Sequence, residues 1–141
     1  MAKDCLILPD AVEDLAAVGR MADVALQGGA NDKALPFFQV CKALADYRQG
    51  NFAAAAELAG KVAGTSFREA EIEALAVRVM ALQRMNRGEE AKALLGSATI
   101  TFSTKLSKPE SGGILGNWED WVIARALLDE ATALINEAEA K

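Results

Sequence analysis

The sequence predicts an all-α chain, built as antiparallel helix pairs stacked into a solenoid and closed by a C-terminal capping helix. Two observations carry this. Gly50 and Asn86 recur about 36 residues apart, each between an Ala-rich apolar run and a second one that starts within a few residues, and a period in the mid-thirties is the mark of a helical repeat array. Hydrophobic residues make up 52% of the 141 positions. Ala contributes much of that, while Val, Ile and Thr are too sparse for a sheet protein.

The elements follow in order. Cys5-Leu-Ile-Leu8 reads as the remnant of a helix before the Pro9-Asp10 stop. Asp10 with Glu13 makes a capping-box-like pair, and Leu15, Val18, Ala22, Ala25 and Leu26 recur at helical spacing, so a helix is expected over 10–27 until Gly28-Gly29 ends it. The first complete repeat is expected over 34–63. Pro36 suits the first turn of its leading helix, Phe37, Val40, Cys41, Leu44 and Tyr47 supply the apolar face, and Phe52 opens the partner helix after the Gly50 turn. The second repeat is expected over 67–98. Ser66 and Glu69 make a capping pair, Ile72, Leu75, Val79 and Leu82 run down one face, and Asn86 makes the turn to a helix from Glu89 to Ala98. The Thr/Ser-rich stretch and the Lys108-Pro-Glu-Ser-Gly-Gly113 run predict an irregular loop over 99–116, packed in part through Phe102, Ile114 and Leu115. A capping helix is expected over 117–140, with Asn117 as its cap. Its residues Trp118, Trp121, Val122, Leu128 and Ile135 make a wide apolar face, either a lid on the last repeat or an exposed patch for a partner or a second copy.

Composition excludes several functions. A net charge of −5 argues against a nucleic-acid groove, which needs a basic stripe to displace counterions from phosphate. It equally disfavours docking on an anionic membrane. No run approaches the roughly 20 apolar residues of a membrane span. The chain has no His and two Cys, so a Cys/His metal cluster and a disulfide scaffold are both out of reach, no cofactor is expected, and a reducing, cytoplasmic setting is the natural inference. Catalysis is not expected either. Glu69 and Glu73 share a helix face while Glu71 points elsewhere, and Glu69 and Glu71 suit the positive end of the helix dipole. Gly112-Gly113 follows no strand and precedes no Lys-Ser/Thr pair, so it is no phosphate loop.

The runs around Gly50 and Asn86 resemble the tetratricopeptide repeat. The first repeat supplies Phe37 or Phe38, Ala43, Tyr47, Gly50, Phe52, Ala55 and Val62, and the second supplies Leu75, Val79, Leu82, Asn86, Ala91, Leu95 and Ala98. The second lacks aromatics, Asn86 stands where the turn Gly is usual, and the Pro expected after each repeat is absent. The resemblance implies a right-handed superhelix of about two and a half repeats. It further implies that residues 10–27 are the second helix of an incomplete repeat, as in a piece of a longer array. The terminal stretch Trp118-Glu-Asp-Trp121 through Ala131 is similar to the end of repeat regions in large bacterial Ser/Thr kinase or WD-repeat proteins. This chain itself has neither a Gly-rich phosphate loop nor a kinase catalytic-loop signature.

On such a stack the leading helices line a concave wall. Phe37, Val40, Leu44, Tyr47 and Arg48 would lie on it from the first repeat, and Ala76, Met80, Gln83 and Arg84 from the second, with Arg125 from the terminal helix. Arg beside aromatic and apolar groups can anchor a carboxylate-bearing peptide. The same residues could instead pair with the chain's own Glu and Asp, with Tyr47 packed into the turn. The expected function is therefore non-catalytic binding of a protein or peptide on that wall. Alternatives are a structural or self-associating domain and a small-ligand sensor using the gap beside the 100–116 loop.

Overall fold

Helix ends in this chain are set by local hydrogen-bonding chemistry that can be followed residue by residue. The structure, a computed structural model, describes residues 3–65, 67–106 and 118–141. They form a single 3-10 turn at Asp4–Leu6 and six α-helices: α1 (Leu15–Gly28), α2 (Leu35–Arg48), α3 (Phe52–Gly60), α4 (Arg68–Arg84), α5 (Gly88–Leu106) and α6 (Trp118–Glu139). There is no strand among the described residues. The chain is all-helical, as its Ala content and apolar periodicity require.

The turns at Gly50 and Asn86 are built alike. Gly50 has φ +85° and Asn86 φ +62°. Past each, the next amide reaches back to the last turn of the preceding helix, Asn51 N–H to the Asp46 carbonyl at 2.8 Å and Arg87 N–H to the Leu82 carbonyl at 2.9 Å. This left-handed ending satisfies carbonyls the helix leaves orphaned and turns the chain back on itself.

Two boundaries differ from the sequence expectation. Helix α1 starts at Leu15, capped by Asp14, whose carboxylate accepts the Ala17 N–H at 2.9 Å. Asp10 is not the cap, because it lies in the Pro9–Asp10 turn with φ +59°. Helix α5 continues to Leu106, beyond the expected end at Ala98, so residues 99–106 are helical. Thr99, Thr101 and Thr104 there give their hydroxyl protons to carbonyls four residues back, at 2.9, 3.0 and 2.8 Å. These bonds let Thr sit inside a helix without competing for its amides. The rest of the expected loop, the Asn117 cap, Ile114, Leu115 and the Ser66 half of the Ser66–Glu69 pair lie outside the described residues.

Each helix packs on the one before it, and α2, α4 and α6 also pack on one another in turn. Helix α4 is the centre, touching α2, α3, α5 and α6. Its buried residues accordingly run right round the helix, including Ile72, Glu73, Ala76, Val77, Val79, Met80 and Leu82. Fully buried Ala43, Ala55, Ala76, Ala81 and Ala91 let the helices approach closely. The two Trp residues of α6 divide the roles open to them. Trp121 is buried edge-on against Phe102 of α5, ring centroids 5.7 Å apart, whereas Trp118 is 57% exposed. Among the described residues no helix is long and apolar enough to cross a membrane.

Candidate functional site

Helices α2, α4 and α6 together make one wall, and a stretch of the chain's own backbone lies on it. The turn Asp4–Leu6 and its flanks touch all three helices. Lys3 Nζ lies 3.4 Å from both carboxylate oxygens of Glu73 on α4 and 2.5 Å from Asp120 on α6. The same ammonium stands 5.3 Å from the ring centroid of Phe37 on α2, a cation–π contact. Leu6 is 1% exposed. Arg48, at the end of α2, donates Nε–H to the Leu6 carbonyl at 2.9 Å and Nη2–H to the Ile7 carbonyl at 2.8 Å. The remaining guanidinium edge is held by Glu130 of α6, at 2.5 and 2.7 Å. That fork-to-fork geometry fixes the plane of the guanidinium that reads the two carbonyls.

The electrostatics follow from burial. Glu73 has no exposed surface. Burial pushes its carboxyl up to about 8, with Lys3 opposing the shift and Asp120 adding to it. For Lys3, burial alone would lower the pKa, but the carboxylates of Glu73 and Asp120 outweigh it and the ammonium is raised. Around neutral pH the cluster therefore holds an ammonium facing Asp120 and a neutral Glu73. Burial likewise pushes the thiol of Cys41, a small core residue, up. Among the described residues no group of three or more Cys, Asp or Glu is placed to hold a metal.

Beside the seated segment the wall opens into a cleft of about 230 Å³, between Pro9, Asp10 and Leu15 on one side and Tyr47, Arg48, Phe52, Arg84 and Glu130 on the other. It continues past Arg84 toward Leu134 and Glu137 on α6. Arg84 is exposed there, with a single long contact of 3.5 Å from its Nε to the Tyr47 hydroxyl. That contact, with Glu137 and Glu130 nearby, raises its pKa and keeps it charged. Among the described residues it makes no ion pair.

The expected site residues separate into three groups. Val40, Leu44 and Met80 are completely buried, so they are core and present no surface to a partner. The expectation fails because the Lys3–Leu6 stretch, α6 and the neighbouring helices cover the face that a bare pair of repeats would leave open. Tyr47 is 6% exposed and shows the cleft its hydroxyl edge. Phe37, half-buried, packs on Phe67 with ring centroids 5.2 Å apart and carries Lys3 on its face. Arg48 is on the wall as expected, but its partners lie within the chain. Arg84 lies in the cleft, touching the Tyr47 hydroxyl and in no ion pair among the described residues. Arg125 is elsewhere, pairing with Asp129 at 3.0 Å and standing 5.9 Å from the Phe102 ring centroid.

Four residues that matter most here, Lys3, Glu73, Asp120 and Glu130, were not singled out as site residues by sequence reasoning. The available signal was Glu73 itself, a charge set between Ile72 and Ala74 in a helix whose apolar residues run all the way round. No protein-family model, curated protein or solved structure matches this chain.

Proposed function

We propose that this chain is a non-catalytic protein–protein interaction module, a tetratricopeptide-like solenoid that holds a short peptide on the wall formed by α2, α4 and α6. The sequential packing of α1 to α6, with α2, α4 and α6 also meeting one another, supports the helix-pair reading. The observation that carries the function is the seating of Lys3–Ile7. The wall supplies the Asp120 carboxylate and the buried Glu73 carboxyl for a cation, a closed apolar site for Leu6, and a fixed guanidinium for main-chain carbonyls. Those are the components of peptide recognition. The adjoining cleft adds Arg84 as a cationic anchor for a carboxylate. By the resemblance of its terminal stretch Trp118–Ala131 to the end of repeat regions in large bacterial proteins, the chain would serve a larger bacterial signalling protein, and its two Cys suit a reducing, cytoplasmic setting.

The test is affinity capture with wild type and Arg84→Ala, both checked by circular dichroism. A partner held by wild type and lost by the variant supports recognition through the cleft. A partner held by both moves the site elsewhere, and none at all favours a structural role.

A second reading, self-association, is favoured by one feature. The outer side of α1 exposes Met21 and Val24, at 49% and 71%, beside Ala17 and Ala25. Light scattering across a concentration series, with Met21→Glu as the control, decides it.

A further inference from the structure

The wall grips Lys3–Ile7 chiefly through the side chains of Lys3 and Leu6, with Cys5 and Ile7 packed half-buried at the edge of the core. In a 3-10 turn, residues three apart eclipse one another, so Lys3 and Leu6 descend on the same side, one into the Glu73–Asp120 pair and the other into the core. Within the segment Arg48 hydrogen-bonds to main-chain carbonyls, those of Leu6 and Ile7, which any sequence folded into the same turn would offer. Leu8 is 65% exposed. Between Ile7 and the start of α1 at Leu15 the chain makes no helix, so the segment is joined to the bundle by a non-helical tether.

We propose that Lys3–Ile7 is a placeholder in cis, and that the wall beneath it accepts in trans a short peptide turn carrying a basic residue and, three positions later, a leucine or isoleucine. This deepens the interaction-module reading and rests on it. It names the ligand class as basic-x-x-aliphatic and makes the chain's own segment a competitor for the site. Vacating the wall is chemically tolerable. Burial favours the neutral form of Glu73 and Lys3 is what opposes it, so when Lys3 leaves, the Glu73 carboxyl keeps a proton, and Asp120, with 26% of its side chain exposed, is left facing solvent. Arg48 stays positioned because Glu130 belongs to α6 and not to the segment. The wall's affinity for an outside peptide is scaled down by the fraction of molecules with the segment released.

The experiment uses the full chain and a fluorescein-labelled peptide of the sequence Ala-Lys-Asp-Ser-Leu-Ile-Leu, which copies residues 2–8 with serine for cysteine. Anisotropy titrations compare wild type with Lys3→Ala/Leu6→Ala, whose altered side chains belong to the segment and leave the wall intact. The double variant is expected to bind at least about tenfold more tightly than wild type, as removal of a competing closed state requires. Replacing the peptide's Lys by Glu, or its first Leu by Asp, is expected to abolish binding. A folded double variant that binds no better than wild type, or equal binding of the Glu-bearing peptide, overturns the proposal.

Should the double variant fail to fold, wild type alone decides. Excess peptide displaces the segment and speeds alkylation of Cys5, read by mass mapping, while an unchanged rate overturns the proposal. A wild-type dimer that the double change dissolves also overturns it, in favour of segment exchange between two copies. Failure here alongside Arg84-dependent capture leaves the broader reading standing, and failure of both removes both.

Discussion

Arg48 and Glu130 lie on different helices, α2 and α6, and meet through two parallel hydrogen bonds of 2.5 and 2.7 Å. The Arg48 side chain is 6% exposed and that of Glu130 25%. The same guanidinium closes over the carbonyls of Leu6 and Ile7, so one side chain ties the N-terminal segment, α2 and α6 together.

Arg48→Ala is therefore expected to destabilise the chain by about 3 kcal/mol, since it strands a carboxylate and two carbonyls at once. Arg48→Lys should recover only part of this, because a point ammonium cannot reproduce the planar fork. Urea unfolding of the two variants against wild type measures both.

Glu73 makes stability depend on pH. Its folded-state pKa of about 8 lies above the ordinary 4.5, so the folded chain keeps a proton that the unfolded chain releases. Stability from this group is full below 4.5 and is lost as pH rises through about 8. The slope cannot exceed about 1.4 kcal/mol per pH unit for one proton. Urea midpoints at pH 5, 7 and 9 should fall in that order, and Glu73→Gln should flatten the trend.

Met80→Ala and Leu44→Ala should each cost about 2–5 kcal/mol, the penalty of a cavity at a fully buried site. A surface role for either residue predicts almost no change. Thermal or urea denaturation separates the two cases.

The matched turns give a paired prediction. Gly50→Ala has open space around the new methyl group but keeps φ at +85°, so it should cost about 1 kcal/mol from backbone strain alone. Asn86→Gly, at φ +62°, should stay within about 0.5 kcal/mol of wild type. Unfolding curves of the two variants are enough to check it.

What could be read from sequence is what short-range chemistry decides. Gly50 and Asn86 announce left-handed turns because few other residues suit them, and Pro36 fits the first turn of α2 where no amide is needed. The start of α1 was misplaced because Asp10 with Glu13 satisfies a capping pattern as well as Asp14 does, and only the backbone angle at Asp10 separates them. The Thr-rich end of α5 hid its helix because composition does not show hydroxyls bonding back along the same turn. The wall was legible as a row of helix positions but not as an occupied one. Its occupancy depends on Lys3, Glu73 and Asp120, which lie far apart in sequence and meet only after the helices have packed. Arg84 lines the cleft because an Arg late in its helix falls at the cleft's mouth whether or not the middle of the wall is covered.

The central place of α4 has a kinetic side. It touches four other helices, whereas the main helix neighbour of α1 is α2. In a stack held by neighbour contacts, the cost of opening an element scales with the neighbours it must leave. Amide protons in α1 should thus exchange with solvent first, and those around Val77 and Ala81 only with the whole molecule. The chain loosens from its first helix inward, around a middle that lets go last.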